Sequence, residues 1–272
     1  MNMLAAIHGL GWLLPLGALA GFLAGLIGIG GGFVLVPGLQ AVFALRPDLK
    51  VHGMPLILGT TTACMIATAF ASARTQQRRG AVNMIALKRL GPFVAIGAAL
   101  GALLATLMAT GAVKAAFGVF CILSGLQFLF FSVAKPREDL SIERGFVGLQ
   151  GTGFGALCGL LAVGGTNLVV PFLMRRNVDL RTAVGTASAL QIPAGIAGAL
   201  MYAVLGVSVL GSGIVGYVDV PVALCISAAA LLFAPLGVKA SHKLPVTTLK
   251  RTFGGFTALV GLRMLGWLPL PF

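Results

Sequence analysis

The sequence predicts an all-α, polytopic integral membrane protein made of two inverted-topology repeats, each a glycine-centred helical hairpin followed by three transmembrane helices. Three observations predict it. Of 272 residues, 58% are hydrophobic and only 9% charged, whereas a soluble domain carries roughly 25% charge. Several apolar runs exceed ~18 residues without strand-like alternation, which favours spanning helices over a barrel. The same motifs then recur, in the same order, in both halves of the chain. The net charge of +13 sits in short clusters between the apolar runs, the pattern of a cytoplasmic membrane rim rather than of a nucleic-acid-binding face.

Charge marks the elements, because a charged side chain near the bilayer centre costs at least ~2.5 kcal/mol. The first repeat, 1–134, reads as a hairpin over 9–45 and helices over 53–73, 90–113 and 115–134. A cytoplasmic linker, 135–144, follows. The second repeat, 145–272, reads as a hairpin over 145–174 and helices over 182–205, 220–238 and 252–268, with a Gly/Ser-rich loop from Gly206 to Gly216. The two hairpin segments are each too long for one span and too short for two, and each carries glycines near its middle. The four cysteines lie in apolar stretches without metal-ligand spacing and read as small buried hydrophobes. Met1 to Gly11 lacks the basic start of a signal peptide.

Laying Ala24–Leu39 on Cys158–Leu173 pairs Gly25/Gly159, Leu26/Leu160, Gly30/Gly164, Gly31/Gly165, Val36/Val170, Pro37/Pro171 and Leu39/Leu173. The correspondence continues through Gly59-Thr60/Gly185-Thr186, Gly80/Gly216, Gly101/Gly237, Phe117-Gly118/Phe253-Gly254 and Gly125-Leu126/Gly261-Leu262. If each hairpin returns to the side it entered, a half crosses three times and the halves are inverted. Fifteen of the 19 Lys and Arg then lie inside, with Arg46, Lys50, Lys114 and Arg263 outside. If each hairpin segment crosses once instead, the charges divide almost evenly. The positive-inside rule therefore selects the inverted arrangement, with both termini outside.

Interrupted hydrophobic segments at matching positions of an inverted repeat point to a transport site at the midplane. The interruptions are Gly28-Ile29-Gly30-Gly31-Gly32 and Val163-Gly164-Gly165-Thr166-Asn167. A half-helix starting there presents backbone N–H groups and a positive dipole end to an anion, and glycine lets a ligand approach the backbone. Close helix packing is the competing explanation for these glycines. The candidate anion-binding residues are Gly30, Gly31, Gly32, Gly164, Gly165, Thr166 and Asn167. To them are added the hydroxyls Thr60, Thr61, Thr62, Thr186 and Ser188 and the amide of Gln191. Helix capping or bonding to an i−4 carbonyl is the structural alternative for the hydroxyls. Gly101, outside these motifs, is expected to tolerate alanine. No cofactor or metal is implied. The acidic residues and histidines fall in loops or at span ends, which leaves no acid, base or metal set for a membrane enzyme. Asp219 reads as an interfacial helix cap matched by Asn83 in the first half.

The paired Gly-Gly-Gly-x-x-x-x-Pro and Gly-Gly-x-x-x-x-x-Pro segments, each followed by Gly-Thr-(Thr/Ala)-(Thr/Ser), resemble the sulfite exporter TauE/SafE family, from about Gly21 to Leu265. The resemblance implies a bacterial inner-membrane permease exporting a small anion such as sulfite, a sulfonate or a related organic anion. The second hairpin departs from the commoner triple glycine by having Thr166 where the first has Gly32. A passive anion channel, or an importer of small sulfur-containing or carboxylate anions, are the alternatives. The expected partners are the anion and the lipid bilayer, with no nucleic acid and the oligomeric state open.

Overall fold

A computed structural model describes residues 3–27, 31–44, 53–130, 144–207, 210–211, 213–241 and 246–267. Gly28, Ile29, Gly30 and the predicted linker, apart from Arg144, lie outside the described residues. The first half contains α1 (Met3–Ile27), α2 (Gly32–Ala44), α3 (Gly53–Gln77), α4 (Met84–Leu107) and α5 (Thr110–Phe130). The second contains α6 (Arg144–Leu161), α7 (Thr166–Met174), α8 (Leu180–Leu205), α9 (Val220–Ser241) and α10 (Val246–Met264). Among the described residues, α3, α4, α5, α8 and α9 are long and apolar enough to cross a bilayer. The protein is helical and polytopic.

Element boundaries differ from the charge-based ones in an instructive way. Lys88 and Arg89 lie inside α4, Lys114 inside α5, and Lys250 and Arg251 inside α10. Long basic side chains at helix ends reach back to the interface, so a charge marks the rim of the membrane and not the end of the helix. The break between α4 and α5 falls at Met108-Ala109, ahead of Lys114. The described part of the 206–216 loop is also more regular than expected. It contributes to three two-residue antiparallel strands, β1 (Leu210–Gly211), β2 (Ile214–Val215) and β3 (Val218–Asp219), paired in the order β1-β2-β3.

In lipid, helices associate through close packing rather than a hydrophobic drive, and small residues let backbones meet. Here glycine rows do this between the halves. On α1, a Cβ at Gly17, Gly21 or Gly25 would strike the α9 backbone at Ile226, Ala230 or Ala234. On α6, a Cβ at Gly155 or Gly159 would strike the α4 backbone at Val94 or Ala98. Gly101 belongs to this second seam: a Cβ there would run into the Ala156 carbonyl. The expected tolerance of alanine at Gly101 is therefore corrected, since its partner is rigid backbone. Within the third pair, Gly118 meets Gly261 and Gly125 meets Gly254 across α5 and α10.

The α3 and α8 helices cross at the centre and run antiparallel, with contacts that come in reciprocal pairs. Gly59, near the start of α3, abuts Cβ of Tyr202, near the end of α8. Gly185, near the start of α8, abuts Cβ of Gln76, near the end of α3. The Thr62 methyl packs on Gly198, and the Ser72 hydroxyl donates to that of Ser188 at 3.5 Å. Each glycine also receives a loop from the other half: Gly59 lies under the Tyr217 carbonyl, and Gly185 under the Ala81 carbonyl.

Adding a methyl at these backbone contacts forces helices apart, an overpacking cost of about 1–3 kcal/mol or more. Gly59→Ala, Gly185→Ala and Gly101→Ala should each lower the thermal midpoint of the detergent-purified protein. Gly153→Ala and Gly255→Ala, where nothing lies within 4 Å of the new Cβ, should leave it unchanged. At the start of α8, the Asp179 carboxylate accepts from the Thr182 amide at 3.0 Å. Hydrogen bonding from Thr182 holds its carboxyl below the usual carboxylate range. A lowered folded-state pKa makes this cap fully effective at neutral pH and lost as pH falls through that pKa. Asp179→Ala should therefore cost about 0.5–2 kcal/mol at pH 7, with the difference from wild type shrinking in acid denaturation series.

Candidate functional site

The second hairpin breaks after Leu161. Ala162 adopts φ 50°, a left-handed conformation uncommon for a residue with a side chain, and the chain stays irregular to Gly165. The Ala162 carbonyl sits against Gly32, where a Cβ would collide with it. The tip of the second hairpin thus rests on the first residue of α2. Gly165 caps α7 with no side-chain bond, and the first amides of that helix have no intrahelical acceptor. A Cβ at Gly165 would come within 2.9 Å of the Cys158 sulfur. Gly164, Gly165, Thr166 and Asn167 are all buried.

Around this helix start the structure brings together amides from three helices. The Gln191 Nε2 of α8 donates to the Thr166 hydroxyl at 2.9 Å. The Gln127 Nε2 of α5 donates to the Asn167 carbonyl at 3.2 Å. The Asn167 side chain itself is 4% exposed, and neither its Nδ2 nor its Oδ1 has a protein partner. A buried amide without partners costs about 1–3 kcal/mol, and native proteins rarely keep one except at sites with a task.

The described residues at the matching place in the first half are chemically different. Gly31 packs against Cβ of Ala20. Phe33, which aligns with Asn167, is fully buried, stacks on Phe120 at 6.1 Å and meets the edge of Phe253 at 5.8 Å. Gly30 lies outside the described residues. Among the described residues, the position that matches polar Asn167 is thus held in the first half by an aromatic cluster.

The candidate hydroxyls divide in the same manner. Thr62 donates to the Leu58 carbonyl at 2.6 Å, and Ser188 to that of Val184 at 3.0 Å. Thr60 accepts from the Asp219 amide at 3.0 Å, and Thr186 accepts from the Asn83 amide at 2.9 Å. Those last two bonds are reciprocal between halves, each tying the helix after a hairpin to the loop before a helix of the other half. Thr61 alone among these hydroxyls is buried with no protein partner. Asp219 is the one charged residue buried among the described residues. Its Oδ1 accepts from the Val222 amide at 3.1 Å, as the Asn83 Oδ1 accepts from Ile85 and Ala86 at the start of α4. Among the described residues no buried cation stands near α7, so an anion at its start would be held by amides and the helix dipole.

The profile of the sulfite exporter TauE/SafE family matches residues 13–264. The chain belongs to this family. It is 29% identical to a probable membrane transporter protein of Haemophilus influenzae, over 92% of this chain and 96% of the relative. Similar proteins named as probable membrane transporters occur in Methanocaldococcus jannaschii, 26% identical over 93% of this chain and 96% of the relative, and in Bacillus subtilis, 25% identical over 91% and 96%. No solved structure matches.

Within this TauE/SafE protein, sequence reasoning missed Gln127, whose signal was available: an amide in the otherwise apolar 115–134 run. It also missed that Thr60 and Thr186 are partners of Asp219 and Asn83, although both pairs align between the halves. The lone Asn167 amide gives a stability prediction opposite to the usual loss on mutation. Asn167→Leu should raise the thermal midpoint of the ligand-free protein, by the equivalent of about 1–3 kcal/mol. A fall in the midpoint would show that the amide is already satisfied.

Proposed function

We propose that this protein is a permease that exports a small oxyanion, sulfite or a sulfonate, across the bacterial inner membrane, and that the α7 start is its binding site. The observation carrying the proposal is Asn167: a buried, unpartnered amide in the first turn of a helix without a side-chain cap, flanked by Thr166, Gln191 and Gln127. Such a set offers donors from backbone and side chains without a fixed positive charge, which would hold a tetrahedral or pyramidal oxyanion yet let it leave. The hydroxyl of Thr61 and the small surfaces of Gly164 and Gly165 would complete the path. A carrier rather than an enzyme is supported by the transporter names of its relatives.

The reciprocal contacts support inverted repeats, 1–134 and 145–272, that exchange access by rocking against each other. In this reading the bonds Thr60 to Asp219 and Thr186 to Asn83 close the outer and inner faces respectively, and both termini lie outside. Single cysteines introduced in the 206–216 loop should react with an impermeant maleimide from outside, and ones near Arg78 should not. Labelling of both from the same side would leave the halves parallel.

Export needs no coupling ion when the cell interior is negative, since the potential contributes roughly 2.3 kcal/mol per charge per 100 mV. With Asp219 engaged as a helix cap, transport is electrogenic and uncoupled from protons or sodium. In proteoliposomes with the potential clamped by potassium and valinomycin, sulfite flux should follow the imposed potential and saturate. Asn167→Ala should weaken apparent affinity by about 1–3 kcal/mol. Uphill flux driven by a pH or sodium gradient at zero potential would overturn the uncoupled mechanism, and unitary conductance in a planar bilayer would favour the channel.

A further inference from the structure

A cleft of about 280 Å³ opens between the end of α3, the start of α4 and the middle of α8. Its walls are mainly apolar, from Phe70, Met84, Leu87, Ala189 and Ile192, with Arg74 among the lining residues. Phe70 and Met84 are nearly half exposed, so the cleft opens on the molecule's outer surface and not on its interior. Arg74 lies one turn beyond Phe70 on α3, in the last turn of that helix. The cleft is therefore amphipathic along its length, apolar toward the membrane centre and cationic at the rim.

Every charged residue from Arg74 to Arg89 is basic. Arg78 and Arg79 follow on the turn after α3, and Lys88 and Arg89 sit exposed in the opening turns of α4. No acidic residue occurs in the sequence between Asp48 and Glu138. At the start of α8 the neighbouring acid is Asp179, which is engaged with Thr182. An arginine lining an apolar cleft at the end of a membrane helix, with four further exposed cations on the adjoining turn and the opening turns of α4, matches a ligand with an anionic head and a hydrocarbon tail.

We propose that this cleft is a binding site for an anionic phospholipid, with the phosphate held by Arg74 and the adjoining basic side chains and the upper part of one acyl chain laid against Phe70, Leu87 and Ile192. The site is separate from the α7 start and does not rest on the choice of transported anion. Its position gives it leverage on transport. Ala189 and Ile192 flank Ser188 and Gln191 on α8, and Gln191 is the residue that holds Thr166 at the α7 start. A chain lodged in the cleft would brace α8 against α3 and α4 at the level where Ser72 meets Ser188.

The test uses the full chain purified in detergent. Native mass spectrometry and thermal denaturation would be run with phosphatidylglycerol, phosphatidylcholine and inorganic phosphate as separate additions. Wild type should retain phosphatidylglycerol through delipidation and gain several degrees of thermal stability from it, with little gain from phosphatidylcholine or phosphate. Arg74→Ala, which removes the head contact at an exposed position, and Ile192→Trp, which fills the tail cleft, should each reduce retained phosphatidylglycerol at least fivefold. Arg74→Lys should keep most of it. Equal retention of phosphatidylcholine, equal protection by phosphate alone, or undiminished retention in both Arg74→Ala and Ile192→Trp would overturn the proposal.

Discussion

Hydrocarbon offers no hydrogen bonds, so a chain that interrupts its helices within a membrane has to satisfy or shelter the released backbone groups with other protein. Most of this architecture follows from that constraint. The break at 162–165 is tolerated because α2 covers it on one side, with Gly32 admitting the Ala162 carbonyl to direct contact, and because α5 and α8 send Gln127 and Gln191 toward it. Beside this break the side chain of Asn167 is left without a protein partner. The proposed ligand site is thus a place where polar groups are satisfied incompletely.

The same constraint explains why the two halves are interlocked. The strands and turns before α9 and the turn before α4 are irregular backbone, and each is placed against a glycine of the opposite half, Gly59 or Gly185. A threonine one residue on then accepts from the backbone amide of Asp219 or Asn83. Glycine supplies the approach and threonine supplies the acceptor. The Gly-Thr pair is thus one structural device used twice.

Much of this was legible in the chain. Low charge, long apolar runs and the repeated glycine motifs gave the helical membrane class and the positions of the interruptions, because those features reflect solvent and backbone geometry directly. Helix ends were less legible, since Lys88, Lys114 and Arg251 mark where side chains reach water and not where hydrogen bonding stops. Likeness between halves also concealed their difference. Gly31 aligns with Gly165, yet two residues on, Phe33 joins an aromatic cluster and Asn167 stays polar and unpaired. Motif matching weighs the shared residues, whereas the unpaired polar group lies at one that diverged.

The glycine seam between α1 and α9 carries a consequence for how the protein is made. Ile27 ends α1 and Val220 begins α9, so at ordinary synthesis rates of about 5–20 residues per second the first helix waits roughly 10–40 s in the bilayer before its main partner emerges. The corresponding α4 and α6 seam has a much shorter delay, because α6 follows α4 with only α5 between them. Early in biogenesis the Gly17, Gly21 and Gly25 face of α1 is a bare, backbone-exposing surface within reach of any other small-residue helix. Mispairing of the nascent chain would accordingly be favoured most during the interval before α9 arrives.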